Sequence, residues 1–476
     1  MMDYTAILSD ARKWLENHKG EMIQDLKEFV SIRSVSRADL ALEGAPFGEQ
    51  CRTMLDYALA KGEKYGFAAE NADGHYGKIM LGDDESSIGM IAHLDVVPEG
   101  VNWIHPPYEG VVEGDFMFGR GVSDNKGSAI ACLYVMRMVR EMGLPVKHGL
   151  RLILGCSEET GMQDMEEYNR REKSCLVTLV PDAAFPVCYA QKGSLTAHAE
   201  IALGEDIASF NGGEVDNMVP PVAKCVLNKE YNEVKTAFES KNLLSEKMEL
   251  TLEGDKACVT ARGVASHAAS PENGVSAVHM LSGALLEAGI LSGESEKAMK
   301  AVHFISQGFY GEHAGIACED EDTGKTTMVI GIARTKNGKI EVHADCRVSI
   351  KAVISKNLEN MKKAMEGAGF LVTLLESTEP VYIPKDHPMV VNLMDAYREI
   401  TGDDAPAYTM GGGTYSRCLE NAITFGLGMR AFSARPENLP AGHGGAHAPD
   451  EYQSISALME STLVFLASVL RLDKLV

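Results

Sequence analysis

The sequence lacks any paired spacing of its cysteines. Ten cysteines are scattered singly along the chain, without the pattern of a zinc knuckle or a thioredoxin-type redox motif. They are therefore poor candidates for metal ligands. Reduced, mostly buried thiols in a cytoplasmic protein are the expected state.

Positive charge and long apolar stretches are also scarce. Lysine and arginine number 45 against 68 aspartates and glutamates, which gives a net charge of −23. Nucleic acid and anionic membrane surfaces both require cationic neutralisation, so neither is an expected partner. The polar N-terminal segment lacks the apolar core of a signal peptide, and no apolar run approaches the roughly 20 residues of a membrane span. We therefore expect a cytoplasmic location and no membrane partner.

The chain is long enough for two domains, because 476 residues exceed what one hydrophobic core usually serves. Apolar runs at 88–92, 150–154 and 176–180 predict strands, and apolar residues at helical spacing predict a helix over 125–142. This alternation is typical of an α/β domain with a mostly parallel sheet covered by helices.

A second texture begins at about residue 191. Polar and apolar residues alternate over 194–201 and again over 339–345, which predicts strands of a sheet with one solvated face. We therefore predict an α/β/α domain formed by 1–190 and 381–476, with an α+β domain over 191–380 inserted into it. Ser270 followed by Pro271 predicts the start of a helix that runs to Ile290. A helix from about Met389, a glycine turn at 411–413 and an apolar closing helix over about 454–472 complete the prediction.

Polar side chains follow the predicted strands of the first domain. His93 comes directly after one strand, the pair Glu158 and Glu159 follows the next, and Asp182 follows the third. Ligands collect at the carboxyl ends of strands in open α/β sheets, so these side chains are expected at one edge. Asp124 joins them from a glycine-rich turn that leads into the predicted helix.

The mixture of imidazole and carboxylate at this edge indicates a catalytic metal site. Such donors suit zinc, manganese or cobalt better than calcium. Two ions about 3.5 Å apart need a shared carboxylate, for which Asp124 is the candidate. Asp95 is close enough to accept a hydrogen bond from His93 and fix its tautomer. Glu159 can then bind metal while Glu158 serves as general base.

Each of these residues also has an ordinary structural explanation. His93 can be a core histidine, Asp124 a helix cap and Asp182 a turn residue. Adjacent glutamates usually form a solvated face, and His447 lies in a glycine-rich loop where conformational need can explain the composition. The conjunction favours the metal site, since independent accidents would not place these residues at strand ends.

Five motifs, in order along the chain, resemble those of the M20 metallopeptidases, and among them most closely the bacterial PepV-type dipeptidases. They occupy 93–98, 119–127, 157–161, 181–186 and 445–451. The resemblance implies two zinc ions per subunit, with manganese or cobalt as alternatives. It also implies a cis peptide bond between Asp124 and Asn125. The implied ligands of one ion are His93, Asp124 and Asp182, those of the other are Asp124, Glu159 and His447, and the implied catalytic pair is Asp95 and Glu158.

Further residues resemble the lid of this family. The resemblance implies that His267 contacts the oxygen of the scissile carbonyl and that Arg347 binds the substrate carboxylate. Asn217 resembles a lid asparagine at the active site, and Gly412, Gly413 and Thr414 resemble a carboxylate-binding loop. Alternatively, Arg347 pairs only with surface acids, His267 caps the following helix, and the glycines only make a turn.

Taken together, these features predict a metal-dependent dipeptidase that hydrolyses short unmodified peptides with water activated by Glu158. The metal site does not separate this activity from deacylation of N-acyl amino acids or carboxypeptidase action on longer peptides. A non-catalytic binding protein is disfavoured, since binding alone needs neither Asp95 nor Glu158. The expected partner is a small peptide, and the long inserted region can supply the lid histidine in cis, which is compatible with a working monomer.

Overall fold

The fold is described from a computed structural model that covers residues 4–429 and 434–476. It divides into two compact units. Unit 1 contains the residues up to Tyr189 together with Ile383–Tyr408 and Thr414–Val476, and unit 2 contains Ala190–Tyr382 and Thr409–Gly413.

The secondary structure comprises ten α-helices and 24 strands in the described residues. The helices are α1 (Tyr4–Ser31), α2 (Glu49–Lys64), α3 (Lys126–Glu141), α4 (Gln163–Arg171), α5 (Tyr231–Ser240), α6 (Ala277–Ala288), α7 (Gly293–Ile305), α8 (Ile354–Ala368), α9 (Pro388–Thr401) and α10 (Ile455–Leu475). The strands are β1 (Ala68–Ala72), β2 (Tyr76–Leu81), β3 (Ser87–His93), β4 (Val111–Glu113), β5 (Phe116–Phe118), β6 (Gly149–Gly155), β7 (Val177–Val180), β8 (Ala183–Ala184), β9 (Val187–Gln191), β10 (Gly193–Ala202), β11 (Ile207–Gly212), β12 (Val222–Leu227), β13 (Met248–Glu253), β14 (Lys256–Arg262), β15 (Glu319–Asp320), β16 (Gly324–Lys325), β17 (Thr327–Lys336), β18 (Lys339–Val348), β19 (Leu371–Thr378), β20 (Val381–Tyr382), β21 (Tyr408–Met410), β22 (Ala422–Phe425), β23 (Leu427–Gly428) and β24 (Tyr452–Ser454).

The main sheet of unit 1 has the strand order β1–β2–β6–β3–β7–β22–β9. Its central strands β6, β3, β7 and β22 pair parallel, as predicted, and antiparallel strands extend both edges. Every residue of β3 and β6 is buried. Helices cover both faces, since Gly77 of β2 faces Leu59 of α2 while its neighbour Tyr76 packs edge-on against Tyr168 of α4. The apolar runs of these strands follow from this double cover.

The closing helix α10 belongs to unit 1 and is mostly buried in its core. The expectation that no apolar stretch approaches the length of a membrane span is wrong for α10, which is long and apolar enough to cross a membrane. However, 83% of its most apolar stretch is buried inside the structure. Phe465 lies in a group of aromatic rings, with centroid distances of 5.4 Å to Phe185 and 6.1 Å to Phe425. Core burial therefore accounts for its composition.

Unit 2 is built on an antiparallel sheet of eight strands in the order β13–β14–β12–β11–β17–β18–β10–β19. The alternation predicted over 194–201 corresponds to β10, where Leu195, Ala197 and Ala199 are buried in the hydrophobic core of this unit. His198 and Glu200 alternate with them and lie on the opposite face. One face of the sheet is therefore apolar and the other polar.

The predicted helix over 270–290 begins later than expected. Pro271–Asn273 forms a separate 3-10 turn, and Val275 pairs with Val264 before α6 starts at Ala277. The cap of α6 is Ser276, whose hydroxyl accepts a hydrogen bond from the main-chain nitrogen of His279. The β-bridge at Val275 holds the chain extended and so prevents one continuous helix.

The division into units differs from the predicted domains by one or two residues at 189–190 and 381–383, and by a whole segment further on. Thr409–Gly413 belongs to unit 2, although the prediction placed it in the first domain with the rest of 381–476. Within unit 2, the Lys192 main-chain nitrogen donates to the Met410 carbonyl oxygen and the Thr409 hydroxyl donates to the Asp322 carbonyl oxygen. These contacts join residues far apart in sequence, which no local pattern indicates.

Candidate active site

Three neighbouring parallel strands deliver the candidate ligands of unit 1 to one edge of its sheet. His93 is the last residue of β3, Glu158 and Glu159 lie in a 3-10 turn after β6, and Asp182 follows β7 by two residues. Asp124 precedes α3. The positions expected from the strand pattern therefore converge in the fold.

Asp124 lies between two imidazoles. Its Oδ1 is 3.0 Å from Nε2 of His93, and its Oδ2 is 3.2 Å from Nε2 of His447. Nε2 of His93 is also 3.6 Å from Oδ1 of Asp182, and Nε2 of His447 is 3.1 Å from Oε1 of Glu159. The five predicted ligands thus form two groups that share Asp124.

The spacing of these atoms fits bound metal ions. Around a tetrahedral zinc with bonds of about 2.0–2.1 Å, neighbouring donor atoms lie about 3.3–3.4 Å apart. The four contacts to the imidazole nitrogens range from 3.0 to 3.6 Å, which brackets that value. Imidazole nitrogen and carboxylate oxygen are also the donors expected of a catalytic zinc, manganese or cobalt site.

The charges of the cluster are strongly perturbed. Hydrogen bonds to Asp124 and Glu159 raise the pKa of His447 to about 10. Burial raises the pKa of Asp182, and burial together with the nearby Asp182 raises that of Glu158. Several carboxyl groups thus crowd into a small buried volume, so protons or metal cations must balance their charge.

Asp95 joins two of the segments that carry predicted site residues, in a way that differs in detail from the prediction. Nδ1 of His93 donates to the carbonyl oxygen of Asp95 at 2.9 Å, while the Asp95 carboxylate lies 3.5 Å from Nδ1. That carboxylate accepts the main-chain nitrogens of Glu158 and Glu159 at 3.2 and 3.1 Å. Asp95 therefore fixes the His93 tautomer through its backbone and the glutamate turn through its side chain.

Asn125 contributes a contact that the sequence analysis missed. Its Nδ2 donates to Oδ1 of Asp182 at 2.9 Å and to the carbonyl oxygen of Pro181 at 2.8 Å. The Asp124–Asn125 peptide bond is cis, which confirms the geometry that the resemblance implies. The position of Asn125 directly after the bridging aspartate is the signal that could have suggested a supporting role.

Asp164 is a second missed residue, and it holds the segment that leads into the glutamate turn. It is fully buried, and its Oδ2 accepts the main-chain nitrogens of Cys156 and Ser157 at 2.6 and 2.9 Å and the hydroxyl of Tyr415. A Cβ on Gly155 would lie 2.0 Å from that hydroxyl oxygen, so only glycine fits there. Burial raises the pKa of Asp164 to about 6.

Unit 2 brings three of the predicted lid residues into one region. The Ala268 main-chain nitrogen donates to the Asn217 carbonyl oxygen at 2.9 Å, and Met218 forms a β-bridge with His267. Thr327 pairs with Arg347 in the sheet and donates its hydroxyl to the Ala268 carbonyl oxygen at 2.7 Å. Burial, followed by the charge of Arg347, lowers the pKa of His267. Asn217, His267 and Arg347 are therefore neighbours within this unit.

The hydrogen bonds of His267 and Arg347 define what each can donate. Nδ1 of His267 accepts the Ala269 main-chain nitrogen at 3.1 Å, so the neutral ring carries its proton on Nε2. Arg347 donates from Nε and Nη2 to the two oxygens of Asp345, both at 2.7 Å. This pairing fixes the plane of the guanidinium and leaves Nη1 outside the pair.

The predicted carboxylate-binding loop is divided between the units. Gly412 and Gly413 belong to unit 2, whereas Thr414 belongs to unit 1. Thr414 is buried, and its hydroxyl oxygen lies 2.7 Å from that of Thr424 and accepts the Ser416 main-chain nitrogen at 3.3 Å. Its side chain is thus engaged inside unit 1, which weakens the expectation that it contacts a substrate.

A third group of ligand-type residues lies in unit 2 and consists of His198, Asp216 and His343. The two imidazole rings stack with a centroid distance of 3.7 Å and an interplanar angle of 12°. Lone pairs in nearly parallel planes do not converge on one ion, so this arrangement fits ring stacking rather than chelation.

Comparison with known proteins identifies the family. The family model described as peptidase family M20/M25/M40 matches residues 89–471, a span that contains all five motifs and most of both units. The chain belongs to this M20 peptidase family. Its members are peptide hydrolases by description, and the motifs at 93–98 and 445–451 lie at the two ends of the match.

Curated relatives of this M20 peptidase carry dipeptidase names. "Putative dipeptidase YtjP" of Bacillus subtilis (strain 168) is 31% identical over 471 residues, which covers 96% of this chain and 98% of that protein. "Putative dipeptidase SSP1012" of Staphylococcus saprophyticus is 29% identical over 475 residues, with coverage of 97% and 99%.

Solved structures share the fold over nearly the whole chain. Human carnosine dipeptidase 1 has a TM-score of 0.59 at 16% identity, covering 98% of this chain and 99% of that one. The dipeptidase Dug1p of Saccharomyces cerevisiae has a TM-score of 0.60 at 13% identity, with coverage of 99% of both chains. These similarities support the α/β domain with an inserted antiparallel domain.

Proposed function

We propose that this M20 peptidase is a metal-dependent dipeptidase that hydrolyses the amide bond of short unmodified peptides. The observation that carries the proposal is Asp124, whose two oxygens face the imidazoles of His93 and His447 at 3.0 and 3.2 Å. A carboxylate shared in this way suits a site for two metal ions. The dipeptidase names of the relatives support the choice of substrate.

Zinc is the proposed metal, with manganese or cobalt as alternatives. His93, Asp124 and Asp182 would hold one ion, and Asp124, Glu159 and His447 the other. Such ions polarise the scissile carbonyl and lower the pKa of water.

Glu158 is the proposed general base. It accepts the proton of the attacking water and returns it to the nitrogen of the leaving amine. Burial and Asp182 raise its pKa, which moves the carboxyl group toward the range in which it can both accept and donate a proton. The Asp95 carboxylate holds the main chain of Glu158 and so fixes where this exchange occurs.

The residues of unit 2 are proposed to recognise the substrate. His267, with its proton on Nε2, would donate to the oxygen of the scissile carbonyl and stabilise the negative charge that develops there. Arg347 would bind the free carboxylate of the peptide, and Asn217, Gly412 and Gly413 would also contact the substrate. A requirement for a free carboxylate limits the substrates to short molecules. We propose that the enzyme is cytoplasmic, which its ten free cysteines support. We also propose a working monomer, in which the long inserted unit would provide His267 in cis.

Replacing Glu158 tests the mechanism. Glu158→Ala should bind metal normally and lose at least about 10²-fold in kcat, because general acid–base catalysis typically contributes 10²–10⁴-fold. Glu43→Ala, at an exposed position of the same unit, is the control and should keep full activity. If Glu158→Ala turned over dipeptides at the rate of the control, Glu158 would not be the base.

A further inference from the structure

Two buried carboxylates directly follow the loop that carries His447. Asp450 and Glu451 have no exposed surface, although both belong to the chain segment that ends an exposed loop. The last motif of the sequence contains both residues, but neither binds metal in the proposed site. Their hydrogen bonds indicate a different task.

Glu451 binds the loop that presents Asp124. Its Oε2 accepts hydrogen bonds from Nη1 of Arg120 at 2.7 Å and from the main-chain nitrogen of Gly121 at 3.0 Å. Its Oε1 accepts the main-chain nitrogens of Ser123 and Asp124 at 2.9 and 3.0 Å, and the hydroxyl of Ser123 at 3.2 Å. One carboxylate therefore fixes the main chain up to and including Asp124.

Asp450 binds two other loops. Its Oδ1 accepts the main-chain nitrogen of His105 at 2.8 Å and Nδ1 of the same residue at 2.9 Å, and the main-chain nitrogen of Ile104 at 3.0 Å. Its Oδ2 accepts Nδ1 of His443 at 2.5 Å. His443 lies four residues before His447, so this bond ties down the base of the loop that carries the metal-binding histidine.

We propose that Glu451 is a positioning residue that sets the affinity of the two-metal site by fixing Asp124 and His447 relative to each other. The inference rests on the proposed function, because it assumes that Asp124 and His447 bind metal. The loops that carry these two ligands are held by adjacent residues. Glu451 holds the Asp124 loop, and Asp450 holds the His447 loop. Supporting residues that orient ligands typically change metal affinity by 10–100-fold when they are replaced.

The carboxylate charge is central to this assignment. Every partner of Glu451 named above is a donor, so an amide in its place would turn an NH₂ group toward one of those donors. Glu451→Gln preserves volume and shape and should still displace the Asp124 loop. The same substitution removes none of the proposed metal-binding side chains.

Asp473 offers a matched control within unit 1. It is buried near the end of α10 and accepts the main-chain nitrogens of Lys147 and His148 at 2.9 and 3.0 Å and Nδ1 of His148 at 3.2 Å. Asp450 has the same kinds of partner in Ile104 and His105, and additionally contacts His443. Asp473→Asn therefore removes a comparable buried carboxylate without touching a segment that bears a proposed ligand.

The experiment compares the wild type with Glu451→Gln, Asp473→Asn and Ser123→Ala. Zinc binding is measured by calorimetry, the metal geometry by the visible absorption of the Co²⁺-loaded proteins, and stability by unfolding of the metal-free proteins. Glu451→Gln should weaken the binding of at least one zinc by roughly 10–100-fold and change the Co²⁺ absorption bands. Asp473→Asn should lower stability but leave the zinc affinity within about twofold and the bands unchanged. Ser123→Ala, which removes one hydrogen bond to Glu451, should weaken zinc binding by a few-fold and keeps the test open if Glu451→Gln does not fold.

The possible outcomes distinguish the positioning role of Glu451 from the proposed function and from a general loss of stability. Equal zinc affinity and equal Co²⁺ bands in the wild type and in Glu451→Gln, or in Ser123→Ala if only that variant folds, would overturn the positioning role and leave the proposed function intact. A wild type that binds neither zinc nor Co²⁺ would overturn the proposed function and the positioning role together. A loss of affinity in Asp473→Asn as large as in Glu451→Gln would show a general effect of stability and also overturn the assignment.

Discussion

At the scale of single residues, buried side chains hold the candidate metal ligands through hydrogen bonds to Asp124, Glu159 and Asp182. His93, Glu159 and Asp182 could be chosen because side chains of metal-binding type follow predicted strands. Asn125 and Asp164, in contrast, act through hydrogen bonds to main-chain atoms and to side chains that are far away in sequence. The residue type does not reveal these partners, because the sequence does not distinguish an aspartate that is buried in the fold from one that lies in an exposed turn.

Arg347 gives a test of substrate recognition at this scale. Arg347→Met should raise KM for free dipeptides by roughly 10–100-fold, because a hydrogen bond to a charged group contributes about 1.5–3 kcal/mol. C-terminally amidated dipeptides, which lack that charge, should be poor substrates of the wild type and lose little more in the variant. Steady-state kinetics on both substrate types measure this difference. Equal losses on both would assign Arg347 a structural role with Asp345.

Asp164 gives a test of the buried network behind the glutamate turn. Its pKa is about 6 in the folded protein against an ordinary value of 3.8, so the folded state holds a proton that the unfolded state releases earlier. The stabilisation from that proton is complete below the ordinary pKa and disappears as the pH rises through about 6. Relative to Asp164→Asn, the wild type should therefore lose about 2 kcal/mol of unfolding free energy between pH 4.5 and 7.5.

Denaturant unfolding of both proteins across this pH range measures the effect. The comparison cancels the titration of all other groups, which are the same in both proteins. Parallel stability curves for the wild type and Asp164→Asn would mean that Asp164 titrates normally in the fold.

At the scale of helices and strands, periodicity predicted the elements but placed the start of one helix wrongly. The predicted strands at 88–92 and 150–154 lie inside β3 and β6, and the predicted helix over 125–142 matches α3. The helix expected from Ser270 began at Ala277 instead. Its start depends on the bridge between Val264 and Val275, a tertiary contact that overrides the local signal of serine followed by proline.

Phe465 tests whether α10 is a core helix of unit 1. Phe465→Ala should cost about 3–5 kcal/mol of unfolding free energy, because the cavity would lie among Phe185 and Phe425 in a fully buried site. Leu475→Ala, at the exposed last residue of the same helix, is the control and should cost less than about 0.5 kcal/mol. Equal small effects in denaturant unfolding would contradict the core position of the helix.

At the scale of the whole molecule, the sequence changes at about residue 191 from continuous apolar runs to alternating polar and apolar residues. This change predicted two kinds of sheet. Unit 1 has a sheet buried on both faces, whereas unit 2 has one polar face, and the two patterns follow from this difference in cover. The sequence could not place Thr409–Gly413 in unit 2. That assignment depends on contacts with residues near 192 and 322, which only the fold brings together.

Removal of the metal tests the site as a unit. Chelation should abolish peptide hydrolysis while leaving the secondary structure intact, because the helices and sheets of both units have their own hydrophobic cores. Circular dichroism checks the fold, and re-addition of zinc or manganese should restore activity. Full activity of the chelated protein, with its metal content measured, would contradict a catalytic role for the cluster.

The most direct test of dipeptidase activity is hydrolysis of a small substrate panel by chelated protein to which zinc or manganese has been restored. The panel contains free dipeptides, a tripeptide, C-terminally amidated dipeptides and N-acetyl amino acids. We expect metal-dependent cleavage of the free dipeptides alone. Preferential cleavage of the N-acetyl amino acids would contradict it, because the enzyme would then be a deacylase that uses the same metal site.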